Sequence, residues 1–333
     1  MDMTTTEPKR LKADESVTPL VSVMLVNWNT REMTLDCLRT VFAETTQIPF
    51  EVIVVDNGSQ DGSAEAIAKE FPQVRLMAER DNHGFALATN ISVEEARGKY
   101  VLLLNTDTLV LDRAIEKLVA FAERTPTSRI WGGRTWFEDR TLNPASCWQR
   151  ITPWSVTCMA AGLTFMFKDS ALFNPEGYGD WQRDTEREVD VVQGSFFLIE
   201  KSFWDELGGF DQDFFMYGEE ADLCLRAIAR GARPRITPDA TIVHFGGASA
   251  TARANKVIYV LGSRIGVVQR HFRGGWKVYG RLVTLYGAGW RALMYRLASL
   301  VKPRLKPIAA EWQKVWRHRD LWKDGPLKTR LEI

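Results

Sequence analysis

A chain of 333 residues with 45% hydrophobic and 26% charged side chains has ordinary globular composition, which excludes disorder of the whole chain and predicts one large domain or two interlocked ones. The formal net charge of +1 hides an uneven balance, because from Arg264 onward Lys and Arg outnumber Asp and Glu by roughly four to one. Cys37, Cys147, Cys158 and Cys224 are far apart and show no CxxC pairing, which speaks against a zinc site or a disulfide framework and for a reducing compartment.

The first twenty residues mix charges, Thr and Pro with no apolar run, so they read as a flexible tail and not as a signal peptide, and a cytoplasmic protein is expected. Residues 21–26 form a short apolar, β-branched run that leads into Asn27-Trp28-Asn29-Thr30 and then a helical pattern through Leu35, Leu38 and Phe42. Residues 51–55 repeat the plan, running into Asp56-Asn57-Gly58-Ser59 and then Ser63, which is placed to cap a helix carrying Ala66, Ile67 and Phe71. Residues 74–77 are a third strand, Asn82-His83-Gly84 a turn into a helix ending near Gly98, and residues 100–104 a fourth, fully apolar strand ahead of Asn105-Thr106-Asp107. Strands alternating with helices predict a mainly parallel sheet covered on both faces, with right-handed crossovers. Ligands of such sheets sit beyond the C-terminal strand ends, where Asn27, Asp56 and Asp107 all fall.

Residues 130–250 are less regular and rich in aromatics. Residues 189–199 read as one buried strand, and Ser202-Phe203-Trp204-Asp205 as a capping box opening a short helix that stops at Gly208-Gly209. The aromatic run from Phe214 to Tyr217 leads into a helix over 219–230, ended by Gly231, whose first turn holds Glu219, Glu220 and Asp222. A last strand runs through His244 into Gly246-Gly247-Ala248-Ser249. Beyond residue 251 the pattern is helical, basic and aromatic, the signature of helices lying in a membrane interface rather than of a nucleic-acid surface. No run reaches the length of a membrane span; residues 151–167 come near, and an ordinary buried segment is favoured over an apolar wall beside a lipid.

Each acidic position has a plainer explanation. An Asx-turn or helix cap accounts for Asp107 as well as a divalent-cation ligand does. Turn chemistry explains Asn57-Gly58, whereas a base contact would explain the acid at Asp56. Dipole stabilisation and pairing with Arg226 cover Asp222, but cover less well a Glu219-Glu220 pair placed at a cavity edge, where a carboxylate can act as base. A lone His244 is more often a buried, hydrogen-bonded histidine than a metal ligand. With no G-x-G-x-x-G after a strand and no Walker A motif, neither a dinucleotide cofactor nor a P-loop site is supported.

Taken in order, Asn27-Trp28-Asn29, Asp56-Asn57-Gly58-Ser59, Asn82-x-Gly84-Phe85, Asn105-Thr106-Asp107, Gly194-Ser195, Gly208-Gly209-Phe210-Asp211, Tyr217-Gly218-Glu219-Glu220 and His244-Phe245-Gly246 resemble family 2 glycosyltransferases of the GT-A fold. Among these they are similar to rhamnosyltransferase-like bacterial enzymes of polysaccharide and O-antigen assembly, over about residues 20 to 275. The resemblance implies an inverting enzyme that takes a nucleoside-diphosphate sugar (a UDP- or dTDP-sugar, rhamnose among the candidates) and Mg²⁺ or Mn²⁺. It implies a donor set of Asn27, Asp56, Asn82, Asn105 and Asp107, with Asp56 on the base and Asp107 on the metal. Asn105 stands where the family motif has its first acid, so it is assigned to ribose or phosphate. His244 would complete the metal-diphosphate site, and Glu220 would be the catalytic base, with Glu219 not excluded.

The expected layout is a tail over 1–20, a nucleotide-sugar half over 21–130, an acceptor half over 131–250 and basic aromatic helices over 251–333. The expected partners are the sugar nucleotide, a lipid-linked or oligosaccharide acceptor and the inner face of the cell membrane, with no nucleic acid. The rivals are a catalytically inactive GT-A binding subunit, which metal-dependent donor hydrolysis would separate, and a sugar nucleotidyltransferase. The latter lacks support because its first strand-loop should carry a Gly-rich, basic phosphate segment, and Asn27 to Thr30 contains none.

Overall fold

A computed structural model describes residues 18–246 and 253–331. The tail expected over 1–20 therefore lies outside the described residues as far as position 17, as do Gly247, Ala248 and Ser249 of the glycine-rich segment. The chain opens with β1 (Val21–Asn27), α1 (Arg31–Glu44), β2 (Phe50–Asn57), α2 (Ser63–Glu70), β3 (Arg75–Glu79), α3 (Gly84–Glu94) and β4 (Tyr100–Leu104). Here β1 pairs in parallel with β2 and β4, and β2 with β3. It continues through β5 (Thr108–Leu111), α4 (Ala114–Arg124), β6 (Ile130–Trp136), β7 (Cys147–Trp148), α5 (Pro153–Ala160), α6 (Leu163–Met166), β8 (Arg187–Glu188), β9 (Val191–Val192) and β10 (Phe196–Glu200). Then follow α7 (Lys201–Leu207), α8 (Glu219–Ala229), β11 (Arg235–His244), α9 (Arg253–His271), α10 (Gly275–Val301) and α11 (Lys306–Arg317).

A single sheet in the order β3-β2-β1-β4-β10-β6-β11-β5, with β8 beside β11, runs through both halves of the molecule. Antiparallel β10 joins β4 to β6 and ties the parallel half to the mixed one. Both faces are covered, which is why β4 reads as an unbroken apolar run: Leu102 and Leu104 pack with α1 and α4, while Val101 and Leu103 pack with α3, α7 and α8. All four cysteines are buried and free.

Four local expectations are corrected. The run 189–199 is not one strand: β9 pairs with β7 in a separate ribbon, and the chain changes sheet at Gln193-Gly194-Ser195 before β10 enters the main sheet. Ser63 is the first helical residue and not the cap; left-handed Gly62 precedes it, and the Ser63 hydroxyl donates to Asp61. Ser202 likewise lies inside α7, which starts without a side-chain cap. The third helix stops at Glu94, short of Gly98, where a Cβ would meet the Ser22 backbone nitrogen at 2.7 Å.

The segment 151–167 departs furthest from its expected burial. Helix α5 packs against α10, with Gly287 of α10 so close to Ala160 that a Cβ there would clash at 2.7 Å. Beyond that contact the chain turns outward, leaving Phe165 at 89% and Met166 at 70% exposure.

Candidate active site

Because β1 lies between β2 and β4, the ends of these parallel strands bring Asn27, Asp56 and Asp107 to one rim. Asn27 is fully buried and its amide is committed: Nδ2 donates to Asp56 Oδ1 at 2.5 Å and to Ser59 Oγ at 3.0 Å. Its Oδ1 accepts from Thr30 Oγ1 at 2.7 Å and Thr34 Oγ1 at 2.8 Å. Asn27 thus orients Asp56, with both ends of its amide taken up by protein partners. Burial pushes the Asp56 carboxyl above its usual range, and the hydrogen bonds from Ser59 and Asn27 pull back part of that rise.

Asn82 Oδ1 accepts from Gly84 N at 2.9 Å and Asn57 Nδ2 at 3.1 Å, which holds the turn into α3 against β2. Gly84 has φ +80°, and a Cβ there would lie 2.5 Å from the Phe215 carbonyl oxygen, so only glycine lets these loops meet. Phe85 N donates to the same carbonyl at 2.8 Å, joining the turn into α3 to the loop before α8.

Past β4, the pairing of β5 with β11 sets Thr108 opposite His244 and brings His244 Nε2 to 3.1 Å from Asp107 Oδ1. Asn105 Nδ2 stands 3.4 Å from the same ring nitrogen. His244 is buried and its Nδ1 has no hydrogen-bond partner. A carboxylate oxygen beside an imidazole nitrogen, with buried polarity left unsatisfied, suits a divalent cation. Among the described residues no three His, Cys, Asp or Glu side chains group to hold a metal, so a diphosphate would have to supply further oxygens.

On the facing side, Tyr217 with φ +67° and Gly218 with φ +87° make a left-handed turn that swings the chain into α8. Asp222, in the first turn of α8, is buried against His271 Nε2 at 2.8 Å and Arg226 Nε at 2.7 Å. Burial would raise its pKa, but these two partners outweigh it and hold the carboxyl below its usual range. Asp222 is structural.

Glu219 and Glu220 differ in kind. Glu219 is 4% exposed, its Oε2 has no partner, and burial together with the neighbouring Glu220 drives its pKa well above the usual carboxylate range. Glu220 is half-buried, accepts from Gly218 N at 3.1 Å and is also raised by burial. A Cβ on Gly194 would lie 3.9 Å from Glu220 Cβ, while the next residue, Ser195, accepts from Asn105 N at 3.2 Å. The Asn105 to Asp107 loop and Glu220 are therefore linked through Gly194-Ser195. Tyr217 lies within electrostatic reach of Glu219, Glu220 and Asp107; burial first, then those three charges, push its phenol up to about 12.

These shifts carry a sign. The folded state holds a proton on Glu219 that the unfolded chain releases near the ordinary carboxylate range, so wild-type stability falls as pH rises above that range. Glu219→Gln, which has no proton to lose, is expected to raise the melting temperature, with a gain that grows from pH 5 to pH 8. A difference that is flat or shrinks with pH, followed by calorimetry, would refute the buried protonated assignment.

The sequence assigned no role to Thr30, Thr34 and Ser59, which brace Asn27, or to Trp28 and Tyr217, which flank the rim. Thr30 and Thr34 carried a local signal, being spaced i,i+4 at the start of α1. Ser59, Trp28 and Tyr217 stood inside the motifs that carry the resemblance.

A family model described as glycosyl transferase family 2 matches residues 22–205. The O-antigen biosynthesis protein RfbC of Myxococcus xanthus is 26% identical over 241 residues, spanning 71% of this chain but only 18% of that protein. An N-acetylglucosaminyl-diphospho-decaprenol L-rhamnosyltransferase of Mycobacterium tuberculosis is 28% identical over 213 residues, 60% of this chain and 67% of that one. Among solved structures, a mannosyltransferase, PcManGT, from Pyrobaculum calidifontis, in complex with GDP-Man and Mn²⁺, aligns over 94% of this chain and 90% of its own. Its TM-score is 0.54 at 18% identity, and S. aureus TarS aligns with a TM-score of 0.50 at 13% identity. These two likenesses establish the shared GT-A fold expected from the sequence.

Proposed function

The chain belongs to glycosyl transferase family 2, and from that membership we propose that it transfers a sugar from a nucleoside diphosphate to a saccharide acceptor with inversion at the anomeric carbon. The observation that carries this reading is the pairing of Asp107 and His244 on the rim with Glu220 across Gly194-Ser195. Direct displacement needs an acceptor hydroxyl deprotonated on one side while a diphosphate leaves on the other. Asp56, aimed by Asn27, accepts from the nucleobase, and Asn105 donates to ribose or phosphate. Asp107 and His244 would hold Mg²⁺ or Mn²⁺, which when bound neutralises charge on the leaving diphosphate. Burial raises both carboxyls and the neighbouring Glu220 raises Glu219 further, so Glu220, the more exposed of the two, is the one proposed to take the acceptor proton.

The donor is a UDP- or dTDP-sugar, with rhamnose the first sugar to try, since the relative from Mycobacterium tuberculosis is named a rhamnosyltransferase. Donor hydrolysis measured across UDP-, dTDP- and GDP-sugars, with and without Mn²⁺, tests the activity: no metal-dependent turnover with any of them would leave only a binding role.

The acceptor is proposed to be lipid-linked and met at the inner face of the cell membrane. No described helix is long and apolar enough to cross a bilayer. What supports surface contact is α10, about 40 Å long at 1.5 Å per residue. Its buried face is small (Gly280, Gly287, Ala288, Ala292), while Leu282, Tyr286, Trp290, Leu293, Leu297 and Val301 stay exposed along one stripe. From Phe272 to Ala310 the sequence carries no Asp or Glu and eight Lys and Arg. Each cation near an anionic leaflet contributes about 1 kcal/mol, and full burial of a Leu-sized side chain about 2 kcal/mol. Leu282→Glu/Leu293→Glu/Leu297→Glu is expected to abolish flotation with anionic liposomes while leaving donor hydrolysis intact. Equal flotation of the triple variant and wild type would count against the membrane.

A further inference from the structure

The segment after α11 returns across the molecule as a strap. Gly325 and Pro326 lie against Gly262 and Gly266 of α9, where added Cβ atoms would clash at 2.7 Å, and Leu327 is buried with Phe215, Tyr259 and Trp322. Phe215 N donates to Leu327 O at 2.8 Å, Lys328 Nζ pairs with Asp213 at 2.5 Å, and Leu331 N donates to Tyr259 Oη at 2.7 Å. These anchors fix the strap on both sides of its last cation. That cation, the Arg330 guanidinium, sits 4.5 Å from the centroid of the Trp28 ring.

Trp28 directly follows β1, and β1 lies between β2, which ends at Asp56 and Asn57, and β4, which leads to Asp107. A ligand reaching from Asp56 to Asp107 must therefore pass the loop that carries Trp28. Arg330 is exposed, and among the described residues no carboxylate pairs with it. A planar cation stacked on an aromatic ring keeps its N–H edge available for a phosphate, and the stacking limits the side-chain entropy lost on binding.

We propose that Arg330 is a donor-binding residue, delivered by the strap to the diphosphate of the nucleotide, with Trp28 as the plate that holds its guanidinium in place. The inference rests on the sugar-nucleotide reading above and adds a diphosphate ligand from a segment outside the family match, which ends at residue 205. It also couples the two substrates, because the strap is anchored on Phe215 and Asp213, just before the turn into the Glu220 helix.

The test is calorimetric titration of the full chain with Mn²⁺ and UDP, dTDP or GDP, alongside the matching monophosphates. A charge-assisted contact contributes about 1.5 to 3 kcal/mol, so Arg330→Ala should weaken the diphosphate that the wild type binds by roughly 10- to 100-fold. The monophosphate should lose far less, Arg330→Lys should recover part of the loss, and the melting temperature should not move. Unchanged diphosphate binding in Arg330→Ala, or equal losses for mono- and diphosphate, would overturn the assignment and leave the strap a structural clasp. Wild-type protein that binds none of the three diphosphates would instead overturn the sugar-nucleotide reading, and this inference with it.

Discussion

Glu220→Gln should lower sugar transfer by about a thousandfold while donor affinity stays near the wild-type value. Positioned general bases contribute roughly 10²- to 10⁴-fold, and Gln keeps the shape while removing the proton acceptor. The loss should fall on kcat, because the proposed base would act on the attacking hydroxyl and not on the donor. Glu219→Gln is the matched control: its carboxyl is the more deeply buried and burial favours its protonated form, so transfer should persist. Both variants are compared by single-turnover transfer and nucleotide titration. Should Glu219→Gln be the inactive one while Glu220→Gln works, the two roles are exchanged; should both work, the base lies elsewhere.

Asp107→Asn is expected to reduce kcat/KM by about a thousandfold and to remove the Mn²⁺ dependence of nucleotide-diphosphate binding. The amide cannot replace the ligating charge, and charge stabilisation of this kind is among the largest catalytic terms, about 10²- to 10³-fold for a single donor in other enzymes. His244→Ala should lose less, roughly 10- to 100-fold, because Asp107 and the diphosphate oxygens remain. Asp56→Asn should behave differently again, weakening nucleotide binding with or without metal. A metal dependence that survives intact in Asp107→Asn would move the cation site away from the rim.

Local pattern made the N-terminal half readable. Each of β1, β2 and β4 is an apolar run that gives way to polar residues, and Asp56, next to last in β2, and Asp107, just past β4, stand out because so little polarity precedes them. The same reasoning failed at Gly194, where an apolar stretch looks continuous although the chain passes between two sheets, because periodicity cannot tell which partner a strand will choose. Ser63 and Ser202 have the residue type of caps, but the backbone starts α2 one residue earlier, at Ser63 itself, and α7 two residues earlier, at Lys201. For residues 151–167 hydropathy suggested burial, but only α5 is packed, against α10 at the Gly287–Ala160 contact, while Phe165, Met166 and Phe167 beyond it are exposed.

The sequence alone determined the succession of β-α units, the acids at or just past the strand ends and the family motifs in order, since all of these are set by neighbours within a few residues. Tertiary structure alone decided that Asn27 serves Asp56, that His244 meets Asp107, that Glu219 is sealed while Glu220 is not, and that Arg330 lies on Trp28. Those relations join residues far apart in the chain, and they depend on strand order and on the path of the strap over α9. Burial, which separates the two adjacent glutamates, is a property of everything packed around them and leaves no mark on their own two letters.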